Sequence, residues 1–145
     1  MDVLNRKILT LLLNDSRLSF RQIASKLKIS TATAAARIRK MEKNGIIKKY
    51  SASLDYGKLG YETEALVLIR TLKGADELVI KRLLNQQNVH AVYDIIGDFE
   101  LAALVKFETR KKLYDFLQKI RSYDFIERTK TILILGSFKE ENMKL

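Results

Sequence analysis

Apolar residues recur with two different periods along the chain, helical before residue 55 and closer to alternating in several runs beyond residue 61. From Asp2 to Leu13, Val3 or Leu4, Ile8, Leu11 and Leu12 mark one face of a first helix. In the stretch SFRQIASKLKISTATAAARIRKMEKN, Ser19 to Asn44, the residues Phe20, Ile23, Ala24 and Leu27 mark a second. Ser19 is placed to cap it, and Gln22, three residues on, to close a capping box. Lys28 and Ile29 read as a turn, Ser30 as another N-cap, and Thr31–Lys43 as a third helix. At about 100° per residue, Ala34, Ile38 and Met41 share one narrow face of it, and Ala32, Ala36, Arg39 and Lys43 lie opposite. Gly45 then reads as a C-cap glycine, and Ile46–Leu54 (IIKKYSASL) as the strand or hairpin of a wing.

Asp55–Gly60 carries two glycines and no apolar period, so it reads as a hinge. After it come a strand at Glu62–Leu72, an amphipathic helix at Ala75–Leu84 with Leu78, Val79, Arg82 and Leu83 clustered, and a strand at Val89–Ile96. A turn at Gly97–Asp98 leads to a strand at Phe99–Phe107; Thr109 caps a helix to Arg121, and Ile126–Leu135 is the last strand. The order βαββαβ predicts a ferredoxin-like domain. The expected fold class is α+β: a winged helix-turn-helix over 1–54, a hinge over 55–61, and the ferredoxin-like domain over 62–145.

Such a sheet carries both helices on one face. Ala65, Val67 and Ile69 point one way and Leu66 and Leu68 the other; Leu101, Ala103, Val105 and Phe107 oppose Ala102 and Leu104. Both faces are therefore apolar, and an uncovered one is larger than soluble monomers usually tolerate. A second copy of the chain is the simplest cover, which predicts a symmetric dimer closed through Leu66, Leu68, Ala102 and Leu104.

Charge adds a partner. The net charge of +10 over 145 residues is unevenly shared. Residues 1–60 hold 13 Lys and Arg against 4 Asp and Glu, a balance of +9; residues 61–145 hold 14 against 13, a balance of +1. A polyanion explains a basic surface confined to the helical part, and a helix with small and basic residues outward suits the major groove of DNA. The predicted DNA surface is Ser30, Thr31, Ala32, Thr33, Ala36, Arg37, Arg39, Lys40 and Lys43, with the small residues at base edges and the cations chiefly at phosphates. An amphipathic helix pair with a solvated basic rim is the plainer alternative, and the Ala-rich helix leaves room for an architectural DNA-binding protein with little base readout.

Zero cysteines and a single histidine, His90, exclude disulfides, thiolate metal sites and histidine-based centres. No Gly-rich phosphate loop or nucleophile–base motif is present, so an enzyme is not expected, nor a cofactor. No apolar run approaches the roughly 18 residues of a membrane span and no signal-like segment precedes the first helix, so a cytoplasmic, nucleoid-associated protein is expected.

Several of these residues, taken together, resemble the leucine-responsive regulatory protein/AsnC family, the feast/famine regulators, of the archaeal type. The opening run Asp2, Val3, Leu4, Asn5, Arg6, Lys7, Ile8, Leu9 is similar to that family's Asp-x-x-Asp-Arg-x-Ile-Leu. Asp15, Arg17, Ser19, Ile23, Ala24, Leu27 and Ser30 follow its next motif, and Arg37, Ile38, Met41, Glu42, Gly45, Ile46 and Ile47 the one after. The chain departs from the pattern at Asn5, where Asp is usual, at Lys28, where the turn usually has Gly, and at Ala34–Ala36, which replace larger or basic residues. The resemblance continues through the second half, where Gly97-Asp98-Phe99-Glu100 is similar to the family's Gly-x-[FY]-[DE] loop and Thr129 and Thr131 to its last-strand Thr region. It implies a transcription regulator assembled as a dimer, tetramer or octamer. It also implies an amino-acid effector held by Gly97, Asp98, Phe99, Glu100, Thr129 and Thr131. By itself Gly97-Asp98 is also an ordinary two-residue hairpin turn.

Overall fold

A computed structural model describes residues 1–140, which divide into two compact units, Met1–Ser53 and Leu54–Phe138. The first contains α1 (Val3–Asn14), α2 (Phe20–Leu27) and α3 (Thr31–Lys43). Its core is Ile8, Leu9, Leu12, Ile23, Ala24, Ala34, Ile38 and Met41, so the stripe read from α3 is the stripe that is buried.

Each helix begins where a side chain can serve its unpaired N–H groups. Asp2 Oδ1 accepts from Asn5 N–H at 2.7 Å. Ser19 Oγ accepts from Gln22 N–H at 3.2 Å, while Gln22 Oε1 accepts from Ser19 N–H at 2.8 Å, a reciprocal capping box. Ser30 Oγ accepts from Thr33 N–H at 3.0 Å. Between α2 and α3 the chain reverses at Lys28, which takes φ 54° and ψ 46°. This is the left-handed conformation that glycine adopts without steric cost, so the turn keeps its shape and the lysine bears the strain. Its N–H donates to Ala24 and Ser25 C=O in the last turn of α2, and Ile29 N–H reaches Ala24 C=O at 3.0 Å.

The second unit contains β1 (Thr63–Thr71), α4 (Asp76–Leu84), β2 (Val89–Asp94), β3 (Leu101–Phe107), α5 (Arg110–Arg121) and β4 (Ile126–Ile134). All strand pairs are antiparallel, in the order β2-β3-β1-β4, as the βαββαβ order requires. Ala65, Val67 and Ile69 of β1 pack with Leu101, Ala103, Val105 and Phe107 of β3 under Val79 and Leu83 of α4 and Leu113, Phe116, Leu117 and Ile120 of α5. Fully burying each larger side chain contributes about 1.5–3 kcal/mol, so this face holds the sheet to its helices.

Three expectations need correction. Ile46–Leu54 is not a strand or hairpin: it is an irregular segment that bends at Ile46 and Ile47, because a strand needs a partner and the described residues of the first unit offer none. The β2–β3 connection is not a two-residue turn but spans residues 95–100, closed by Ile95 N–H to Glu100 C=O at 2.8 Å, and both flanking strands are shorter than their apolar runs. In α4 only Val79 and Leu83 of the predicted cluster are buried; Leu78 is exposed, and the Arg82 guanidinium lies 4.5 Å over the Tyr123 ring. Ala102 lies on the open face as the alternation predicts, at 5% exposure between the larger cross-strand residues Leu68 and Tyr93.

Lys28→Gly should stabilise the first unit by about 0.5 kcal/mol, the margin left when relief of a left-handed penalty of about 1–2 kcal/mol is set against glycine's entropy cost of about 0.5–1 kcal/mol. Lys28→Val should destabilise it. Urea denaturation of both variants checks this, and a destabilised glycine variant contradicts it.

Candidate nucleic-acid interface

The buried stripe of α3 decides what its opposite side shows. With Ala34, Ile38 and Met41 at 1% exposure or less, Thr31, Ala32, Thr33, Ala36, Arg39, Lys40 and Lys43 are all exposed. The exposed side is thus small along its middle and cationic toward the C-terminal end. The two alanine methyls and two threonine side chains let the backbone approach another surface closely, and the lysines beside them carry charge to its edge. Ser30 sits at the N-terminus of this helix, where its hydroxyl also lies 2.7 Å from the Thr33 hydroxyl. The exposed Arg39 guanidinium lies 6.0 Å from the Phe20 ring centroid.

Arg37 departs from the predicted set. Its Nη1 donates to Asp2 Oδ2 and, at 3.0 Å, to Asn5 Oδ1, so it fastens α3 to the start of α1. The carboxyl of Asp2 is held below the usual range, first by the Asn5 N–H it caps and then by Arg37. Asn5 accepts the same guanidinium without adding charge, so the missing acid costs the contact little. The helical wheel alone leaves Arg37 on a flank, and nothing in the sequence says that α1 begins beside it.

Of the expected effector residues, Gly97, Asp98, Phe99 and Glu100 lie in the β2–β3 loop, whereas Thr129 and Thr131 lie within β4. Gly97, at φ 151°, and Asp98 are exposed in the β2–β3 loop. Phe99 packs beneath the Arg128 guanidinium, 4.9 Å from its ring centroid. Glu100 is already engaged, its Oε2 accepting from Thr71 N–H at 3.0 Å, which leaves Asp98 as the outward carboxylate of the loop. Thr129 pairs with Ile69 and Thr131 with Val67, so both threonines lie on the helix-covered side of β4. Thr129 Oγ1 accepts from Arg121 Nε at 3.0 Å, whereas the buried Thr131 Oγ1 has no hydrogen-bond partner among the described residues. Arg128 escaped the sequence reading because its nearness to Phe99 follows from strand register.

The open face of the sheet is organised in cross-strand rows. Leu66 lies between Leu104 and Ile132, and Leu68 between Ala102 and Lys130. Ile132 is 41% exposed and Tyr93, beside Ala102, 55%. One end of this apolar band is closed by Lys106 Nζ and Glu64 Oε1 at 3.2 Å, a pair largely sheltered from water. Ile132 and Tyr93 belong to the band, and strand alternation running through β4 and β2 was the signal that marks them.

Among the described residues, no helix is long and apolar enough to cross a membrane. Residues 1–48 match the winged helix-turn-helix DNA-binding model, and residues 64–143 match the Lrp/AsnC ligand binding domain. An uncharacterized HTH-type transcriptional regulator of Pyrococcus furiosus is 38% identical, across 97% of this chain and 95% of its own length. The HTH-type transcriptional regulator FL11 of Pyrococcus horikoshii is 30% identical, across 97% and 93%. The solved structure of E. coli AsnC superposes with a TM-score of 0.91 at 26% identity, across 100% of this chain and 99% of that one. Two domain matches in the right order, and relatives aligned along almost their whole length, place this chain in the Lrp/AsnC family of transcriptional regulators.

Proposed function

We propose that this regulator binds a pseudo-palindromic DNA site as a symmetric dimer, or as a tetramer or octamer built from dimers, and that an amino acid tunes the binding. It acts in the cytoplasm, at the nucleoid. The observation that carries the reading is the outward face of α3, where Ala32 and Ala36 leave room for base edges and Arg39, Lys40 and Lys43 offer cations to phosphates. Arg37 is not part of this contact surface in the proposal, since Asp2 and Asn5 hold it. Regulation is favoured over architectural packaging because the relatives are regulators and the second unit matches a ligand-binding domain.

The dimer rests on the apolar rows Leu104–Leu66–Ile132 and Ala102–Leu68. The effector rests on the loop carboxylate of Asp98, suited to an ammonium group, and on the orphaned Thr131 hydroxyl. A buried hydroxyl without a partner costs about 1–3 kcal/mol, a cost that a ligand or partner subunit supplying an acceptor removes.

Three outcomes are expected. Lys40→Ala and Lys43→Ala should each lower the slope of log affinity against log salt by about 0.9, across all duplex sequences alike. Arg37→Ala should lower the denaturation midpoint and leave that slope alone; wild-type slopes in both lysine variants would move the phosphate contacts elsewhere. Leu104→Glu should yield monomers in sedimentation and lose most specific affinity, since two half-site helices must stand roughly 34 Å apart. Wild-type monomers at micromolar concentration would sink the dimer. Asp98→Ala should abolish the amino-acid response and keep basal DNA binding, with a wild-type coupling of about 1–3 kcal/mol. Calorimetry that shows no heat with any of the common amino acids removes the effector.

A further inference from the structure

On its open side β4 carries two cations that meet no carboxylate among the described residues. Thr129 and Thr131 pair with Ile69 and Val67 and so turn toward the helices, whereas Arg128 and Lys130, which pair with Arg70 and Leu68, turn the other way. Both cations are exposed. The Arg128 guanidinium lies 4.9 Å from the Phe99 ring centroid. A cation over a ring is held by the ring's charge distribution and not by hydrogen bonds, so the N–H fork of the guanidinium still calls for an acceptor. The two nearby acids are engaged elsewhere. Glu127, next to Arg128 in the chain, pairs with Arg70 at 3.4 Å, and Glu100 accepts from Thr71 N–H.

The β2–β3 loop supplies the opposite charge. Asp98 directly precedes Phe99, is exposed, and pairs with no described residue. From the loop inward the order is therefore Asp98, then Arg128 over Phe99, then Lys130, about 6.6 Å farther along the strand than Arg128. An anion followed by two cations complements a molecule that carries an ammonium and then two carboxylates. Lys130 adds a second constraint. It stands in the row Ala102–Leu68–Lys130, at the margin of the apolar band on which the dimer rests, and a cation desolvated there needs an anion beside it. Two cations against one carboxylate also select against a basic side chain.

We propose that the effector of this chain is an acidic α-amino acid, glutamate or aspartate, with its ammonium on Asp98, its α-carboxylate on Arg128 and its side-chain carboxylate on Lys130. The inference rests on the second unit holding an amino-acid effector, and it names the class. Arg128 holds the group common to all amino acids, through a fork that matches a carboxylate in two bonds. Lys130 meets the group that sets the acids apart, so it determines specificity and Arg128 determines affinity.

Calorimetry on the full chain uses L-glutamate, L-aspartate, L-glutamine, L-leucine, L-lysine and γ-aminobutyrate, which lacks the α-carboxylate. Glutamate or aspartate should bind about tenfold or more tighter than glutamine, leucine or lysine, the scale of one lost charge-assisted hydrogen bond. Lys130→Gln should remove the preference for glutamate over glutamine. Arg128→Gln should weaken glutamate and glutamine alike by about tenfold or more and leave the weak binding of γ-aminobutyrate unchanged. Tighter binding of glutamine, leucine or lysine to the wild type overturns the acidic class and leaves the amino-acid effector in place. Wild-type affinities in Arg128→Gln overturn the role of that residue. A preference for glutamate that survives Lys130→Gln, with dimers weakened in sedimentation, assigns the lysine to the partner subunit and overturns its role in specificity. No heat with any of these ligands removes the effector itself and this inference with it.

Discussion

Everything the first unit presents to a partner depends on the burial of three side chains, Ala34, Ile38 and Met41, against α1 and α2. A helix of thirteen residues has little stability alone, and this one is Ala- and Thr-rich with two β-branched residues in its first turn. Packing supplies what propensity does not, and it sets the rotation of the helix about its own axis. Because Ile38 must meet the core that holds Ile8 and Ile23, Arg39 and Lys43 have no choice but to face outward. The Asp2–Arg37–Asn5 contact then acts on one flank and Tyr50–Glu42 on the other, so the outward face is bordered on both sides. One carboxylate, Asp2, both caps α1 and pairs with Arg37, which ties the start of the first helix to the flank of the third.

The second unit is governed by an asymmetry between the faces of one sheet. Its helix-covered side is closed by β1, β3, α4 and α5, and the side chains there are almost fully buried. Its other side carries apolar rows, half-buried at Leu66, Leu68 and Leu104 and bounded by the sheltered Lys106–Glu64 pair. A sheet built only for a monomer would alternate polar residues onto that side. Leu66, Leu68, Leu104 and Ile132 instead keep it apolar, while the polar groups gather at the sheet end near the β2–β3 loop. There Glu100 is drawn to Thr71 N–H and Phe99 to Arg128, which leaves Asp98 exposed, while Thr131, midway along β4, has no hydrogen bond at its hydroxyl among the described residues.

Most of the architecture was legible in the chain, because local signals and tertiary burial agree. The capping box at Ser19–Gln22, the caps at Ser30 and Thr109, and the alternation of β1 each act over a few residues, so the elements they start or pattern appear where they were read. The charge asymmetry and the composition of α3 likewise belong to the sequence, since they depend on no contact between distant residues. They agree with the family resemblance, and the match of residues 1–48 to a DNA-binding domain is the level at which that reading stands.

Tertiary structure decided the rest, and in each case through a partner far away in the chain. Ile46–Leu54 has the composition of a strand, yet remains irregular and unpaired because pairing needs a second strand, and none stands among the described residues of the first unit. Arg37 has the chemistry of a phosphate contact, yet is spent on Asp2 and Asn5, more than thirty residues away. Glu100 looks like an available carboxylate, yet register places it beside Thr71 N–H. Sequence determined which elements form and which of their faces are apolar or basic, because those are properties of neighbouring residues. Only the fold decided which charged groups are left over for a ligand, because a charge is committed or free according to what the rest of the chain brings within about 3 Å of it.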